Sequence, residues 1–170
     1  MPLVTGVLAN GLSRMVGTDQ ESVAIDTLTR AWLDYFQGAS LLGVPAARPI
    51  LDTAPKAAFS AALQGFSQAN VAPVQIQAAV AAFWLACSPL ASAIWVLPGP
   101  AVIVPGTLIP PPGVGTIAAV LTSEFLSNTS GRMTLESAAQ AVARVLSLAN
   151  IGGTIQTVVA PAAPVTQTIL

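Results

Sequence analysis

Few residues in this chain can take part in acid–base, nucleophilic or metal chemistry, and their spacing decides what each can do. There are seven carboxylates and six bases, no histidine and a single cysteine, Cys87. Lack of histidine removes the usual general base near neutral pH, the Ser-His and Cys-His pairs and the commonest metal ligand. Asp26, Arg30 and Asp34 recur at four-residue intervals, the spacing of a solvated salt-bridge face on a helix rather than of two carboxylates flanking a substrate. Glu124 and Glu136 are the only acids in the C-terminal half, so a carboxylate-only hydrolase would have to rest on them. Glu124 lies near the apolar positions Ile117, Leu121 and Phe125, where burial would raise its pKa; pairing with Arg132 or another neighbour would make it structural instead. Cys87 has no Lys or Arg close in sequence to lower its pKa, which points to a buried, inert thiol. A lone cysteine forms no internal disulfide and fits a reducing compartment. Gly152-Gly153 follows a helical pattern, whereas a phosphate cradle follows a strand and opens a helix. The expectation is therefore no catalytic residue, no cofactor-binding residue and no metal ligand, and a protein that is not an enzyme.

The elements that carry these residues are mostly helical. Leu3 to Val16 has near-helical apolar spacing, weakened at Asn10-Gly11. Thr18-Asp19-Gln20-Glu21 reads as a capping box, and from Glu21 to Gln37 the residues Ile25, Leu28, Trp32, Tyr35 and Phe36 form one apolar face. Residues 38–52 contain Gly43, Pro45 and Pro49 and read as a loop. Thr53 then caps a helix with Pro55 in its first turn, expected to run to about Ala69 with Phe59, Ala62, Leu63 and Phe66 on one face. Pro73 opens another, whose stripe is Ile76, Val80, Phe83, Trp84 and Cys87, and Ser88-Pro89 kinks or ends it. Residues 98–113 hold six prolines and three glycines and form an extended connection, with Ala101–Val104 and Thr107–Ile109 as the only candidate strands. Helix resumes over Val114–Leu126, and after a polar turn Thr134 caps a last helix with Leu135, Ala138, Val142, Val145 and Leu146 inward and Glu136, Gln140 and Arg144 outward. Thr154–Val159 is β-branched enough for a strand, and Pro161 and Pro164 follow it.

These readings predict a mainly α fold: a single-domain bundle of about five or six helices with an extended proline-rich segment and a short C-terminal strand. Residues 1–153 form the helical domain, with the proline-rich connection at 98–113, and residues 154–170 form an extended C-terminal arm offering an edge strand to a neighbour. Trp32, Phe83, Trp84 and Val142 are the expected core.

Composition narrows the function. Of 170 residues, 54% are hydrophobic and only 8% charged, against roughly a quarter charged in an ordinary domain. The thirteen charges fall within Arg14–Lys56 and Glu124–Arg144, leaving residues 57–123 with none. A net charge of -1 provides no footprint for nucleic acid. The N-terminus Met1-Pro2-Leu3 lacks the basic region of a secretory signal. The uncharged stretch calls for apolar contact outside the chain, from lipid or from neighbouring subunits. Ala78–Leu97 has the length of a membrane span, but it is rich in alanine, carries Ser88-Pro89 in its middle and lacks flanking bases. The proline-rich backbone after Leu97 would also fit badly in lipid. Subunit packing suits these features better, because 31 alanines favour close-packed helices and neighbours would cover the uncharged surface.

Trp32-Leu33-Asp34-Tyr35-Phe36 on one helix, Phe83-Trp84 on an Ala-rich helix, the run of prolines, Leu121–Asn128 and Ser137–Leu146 together resemble the small, Ala- and Pro-rich virion structural proteins of tailed bacteriophages. The resemblance spans most of the chain and implies a structural subunit of the neck, tail or baseplate region, assembled in the host cytoplasm. Its partners would be copies of itself or other virion proteins, with neither nucleic acid nor membrane. The alternative is a small membrane-inserting, holin-like or pore-forming protein that uses residues 78–97.

Overall fold

The computed structural model describes residues 5–13, 21–64, 72–127, 135–159 and 162–169. Helices α1 (Thr5–Ser13) and α2 (Glu21–Phe36) come first, then a hairpin of β1 (Ser40–Leu41) and β2 (Val44–Pro45). Next are α3 (Arg48–Leu51), α4 (Ala54–Ala62) and α5 (Ala72–Cys87), which a 3-10 turn at Ser88–Leu90 joins to α6 (Ala91–Ile94). Strand β3 (Ala101–Ile103), a 3-10 turn at Pro112–Thr116, α7 (Ile117–Ser127), α8 (Leu135–Ala149), β4 (Thr154–Val159) and β5 (Val165–Thr168) complete the order. The fold is mainly helical, as the periodicity predicts. Among the described residues there are eight α-helical stretches rather than five or six, α3 and α6 being single turns of four residues. The expected Thr18 and Thr134 caps, and the continuation of α4 to Ala69, lie outside the described residues.

Aromatic packing between α2, α4 and α5 forms the centre. Trp32 stacks on Phe59 at 5.4 Å and meets the edge of Phe83 at 5.6 Å, while Phe36 lies edge-on to Phe83 at 4.7 Å and to Trp84 at 5.2 Å. These are the offset and T-shaped arrangements that aromatic quadrupoles favour. Polar handles tie further elements to this cluster: Trp84 Nε1 donates to Asn150 Oδ1 at 2.8 Å, which fixes the end of α8 against α5. Trp32, Phe83 and Trp84 are core residues as expected; Val142 is only partly buried, since Ala143 and Leu146 take the inner positions of α8. Glycine matters where backbones nearly touch. A Cβ on Gly113 would lie 2.7 Å from the Ala149 Cα, so only glycine lets the proline-rich segment run this close to α8.

Two parts of the chain depart from the expectation. Residues 38–52 are not a plain loop: Leu42 and Gly43, at φ 51° and 81°, turn β1 back onto β2, and α3 follows. Two successive positive φ angles match the twist of a tight hairpin.

The second departure is the C-terminal segment, expected as an arm outside the helical domain. Instead β4 is the central strand of an antiparallel sheet ordered β3-β4-β5. Ala101 pairs with Val159 and Ile103 with Thr157 on one side, and Thr154 pairs with Thr168 on the other. Between these pairings the chain makes an excursion through Pro105-Gly106, which Thr107 closes: its hydroxyl donates to the Val104 carbonyl and accepts from the Gln156 N–H at 3.0 Å. Ile109 then bridges to Thr154. Ile155 and Ile169 are buried in the same hydrophobic cluster as Leu8 and Trp32. The segment folds inward because the proline-rich connection supplies a partner strand from the same chain.

Candidate functional site

Among the described residues, those with chemical potential are dispersed, and most of the charged ones are held in ion pairs. On α2, Arg30 bonds Asp26 at 2.7 Å, but Asp34 does not complete the expected ladder; it pairs with Arg48 of α3. Arg48 also holds Asp52 at 3.1 Å, so this half-buried guanidinium clamps α3 to α2. Glu124 pairs with Arg144 at 2.7 Å across α7 and α8, and Arg132, the partner considered from sequence, lies outside the described residues. Glu136 sits in the first turn of α8. Burial pushes the Cys87 thiol far above its ordinary range, which leaves almost no thiolate to act as a nucleophile. Among the described residues no group of three or more His, Cys, Asp or Glu gathers as a metal site.

One buried polar cluster lies between α2, α5 and α8. Burial raises the Tyr35 phenol, and Ser147 and Asn150 beside it oppose that shift, although Tyr35 makes a regular hydrogen bond with neither. Asn150 is committed through its oxygen to Trp84. This cluster joins three helices, and all its members are buried or half-buried, so its position is that of a structural contact.

What the fold does bring to the surface is a set of apolar side chains on charge-free elements. Helices α5 and α6, the proline-rich segment and all of β3, β4 and β5 lack Asp, Glu, Lys and Arg. The inner side of α5 buries Ile76, Val80, Phe83, Trp84 and Cys87. Its outer side exposes Val74 (59%), Leu85 (75%) and, just past α6, Val96 (70%), with exposed Ala78, Ala81, Pro89 and Ser92 between them. The run Ala72–Ile94 is 23 residues long and, by length and composition alone, could cross a membrane. A buried stripe on one side, however, is the mark of a helix that belongs to a protein core.

The sheet adds a second apolar area. Val159 and Val165 alternate onto the same face as buried Thr157 and Ile155, yet both are exposed. The far end of the β4–β5 hairpin therefore extends past the helices. Val102, opposite Val158 on the other face, is exposed as well.

Sequence reasoning identified the uncharged stretch but not which of its residues face outward. A signal was available in the spacing of Val74, Ala78, Ala81 and Leu85, intervals of four, three and four that mark a second helical face. No protein family, curated protein or solved structure matches this chain.

Proposed function

We propose that this chain is a non-enzymatic structural subunit of a multi-protein assembly, and specifically a virion component of the neck, tail or baseplate region of a tailed bacteriophage. It is put together in the host cytoplasm and acts by apolar contact with copies of itself or with other virion proteins. The observation that carries the assembly reading is the charge-free surface of α5, α6 and the three-stranded sheet, on which Val74, Leu85, Val96, Val102 and Val165 stand exposed. Leaving such groups in water forfeits roughly 25 cal/mol per Å² of apolar surface that a neighbour would cover, and large contiguous apolar patches mark interaction sites. The virion assignment rests on the sequence resemblance.

The second reading, a membrane-inserting protein, is favoured by the length and composition of Ala72–Ile94. Against it stand the burial of that helix's inner stripe in an aromatic core and the irregular, polar backbone of residues 98–113, which hydrocarbon would leave unsatisfied. Sedimentation velocity combined with vesicle flotation separates the two. The structural reading expects the protein to stay in aqueous buffer without detergent and to sediment as an oligomer or on a partner. Stable flotation with vesicles would overturn it in favour of insertion, and a strict monomer that binds no virion component would remove the assembly role.

A further inference from the structure

Among the described residues four buried side-chain atoms have no hydrogen-bond partner: Thr29 Oγ1, Trp32 Nε1, Tyr35 Oη and Asn150 Nδ2. A buried polar group left unpaired is costly, and in native folds such atoms are satisfied by protein or by ordered water. The last two belong to one cluster. Tyr35 is 2% exposed and Asn150 3%, the first on α2 and the second just past the end of α8, and Ser147 of α8 lies beside them. Orphaned atoms from separate elements that meet at one place are what a small bound molecule bridges.

The donors and acceptors of the cluster define that molecule. An indole N–H can only donate, and Trp84 Nε1 meets Asn150 Oδ1 at 2.8 Å. That bond fixes which way the Asn150 amide points and turns Nδ2, with its two N–H donors, away from the indole. Ser147 Oγ donates its proton to the Ala143 carbonyl at 2.7 Å, so toward Tyr35 it can only accept. Tyr35 Oη can do both. The three groups thus offer a donor, an acceptor and a hydroxyl that serves as either, and none of them is ionised at neutral pH. A cation would face the Asn150 N–H groups, and an anion would face the Ser147 lone pairs. A neutral molecule that both donates and accepts satisfies all three.

We infer that a single water molecule binds here and bridges Tyr35 Oη, Asn150 Nδ2 and Ser147 Oγ. It accepts from Asn150 Nδ2 and donates to Ser147 Oγ, and its remaining proton or lone pair serves Tyr35 Oη. This gives the roughly three hydrogen bonds that a buried water makes. Tyr35 stops short of a regular hydrogen bond with either neighbour, and a buried polar contact that falls short of direct bonding is where a bridging water sits. Ser147 is half-buried, which gives the water a path to solvent. The site is a joint of the fold. Asn150 stands where α8 ends and the chain turns toward β4, and a Cβ on Gly153 would lie 3.0 Å from Trp84 Cη2, so the same corner seats the C-terminal sheet against α5. Because the site lies inside one chain, it is independent of the assembly reading.

Water itself is the probe. A crystal structure of the wild-type chain should show one ordered solvent peak within hydrogen-bond distance of all three atoms. In solution, magnetic relaxation dispersion of the water oxygen counts long-lived internal waters. Tyr35→Phe combined with Ser147→Ala keeps the ring and removes two of the three partners, so this variant should lose one such water with its far-ultraviolet circular dichroism unchanged. A direct hydrogen bond from Tyr35 to Asn150 or Ser147 with no solvent peak between them would overturn the proposal, as would equal water counts in the wild type and the folded variant. Should the variant not fold, the wild type decides by nuclear Overhauser transfer between water and the Asn150 side-chain amide: a direct contact supports the site, and its absence overturns it.

Discussion

Replacing Trp32 with alanine tests whether the aromatic centre holds the three parts of the fold together. Trp32 is fully buried and its ring lies within 5.4 to 6.2 Å, centroid to centroid, of Phe59, Phe83, Tyr35 and Phe36. Truncating a buried tryptophan costs about 3–5 kcal/mol through lost transfer energy and the cavity left behind. The lost stacked and edge contacts, about 0.5–1.5 kcal/mol per aromatic pair, place this site near the upper end. Trp32 Nε1 has no hydrogen-bond partner in its buried position, so little polar stabilisation is lost with the ring. For a chain of 170 residues, 5 kcal/mol corresponds to a drop in Tm of about 10–20 °C, or a shift of about 1 M in the guanidinium midpoint for a slope of about 4–5 kcal/mol/M. Far-ultraviolet circular dichroism is the suitable probe, because the substitution removes a fluorophore. Trp32→Phe keeps a ring against Phe59, sheds the unpaired N–H, and should lose less than half as much. A change below about 1 kcal/mol in Trp32→Ala would show that the ring does not fill a close-packed core, and the proposed packing of α2 on α4 and α5 would be wrong.

Three further outcomes follow from other parts of the fold. Deleting residues 154–170 removes buried Ile155 and Ile169, each worth about 1.5–3 kcal/mol, so thermal melts should show a large loss of Tm or no cooperative transition; an unchanged melt would mean that the segment is an appendage after all. Leu42 holds φ 51° at the hairpin tip with its side chain exposed, a conformation that asparagine adopts more easily, so Leu42→Asn should stabilise the isolated subunit by up to about 1 kcal/mol in chemical denaturation, and a loss of stability would contradict the turn geometry. Burial raises Cys87 above its ordinary value of 9.0, so above that pH the unfolded chain releases a proton that the folded one keeps. Stability therefore falls as pH rises past about 9, by up to about 1.4 kcal/mol per pH unit from this group, and Cys87→Ala should show a shallower fall; parallel pH profiles for the two proteins would refute the burial.

Legibility in the sequence followed polarity contrast. Helices α2 and α8 were readable because Asp26, Arg30, Gln140 and Arg144 mark a wet side against an apolar one. On α5 the contrast is missing: Val74, Ala78, Ala81 and Leu85 are as apolar as the stripe that they back. Spacing and side-chain size still picked out Ile76, Val80, Phe83, Trp84 and Cys87, which the fold buries, but nothing polar marked the opposite face as the one open to solvent. Strand β4 was readable from its β-branched run, yet its role was not, since its partner β3 lies more than fifty residues earlier and nothing local records a pairing of that range. The Arg48–Asp34 contact, fourteen residues apart, was hidden for the same reason, because it depends on the hairpin turning at Leu42-Gly43.

The separation of charge along the chain becomes a separation in space once the chain folds. Asp26, Arg30, Asp34, Arg48 and Asp52 gather about α2 and α3, and Glu124 pairs with Arg144 between α7 and α8. These groups pair with each other, and the whole chain carries a formal net charge of only -1, so long-range repulsion between copies is small. Among the described residues, α5 and the three strands of the sheet contribute no charge to the surface. In the sheet the central strand β4 is already paired on both sides, so only β3 and β5 present an edge. On the proposed assembly reading, the exposed side chains Val74, Leu85, Val102 and Val165 are the part of the uncharged stretch that a neighbour covers, while Ile76, Val80, Phe83 and Trp84 are the part that the core takes.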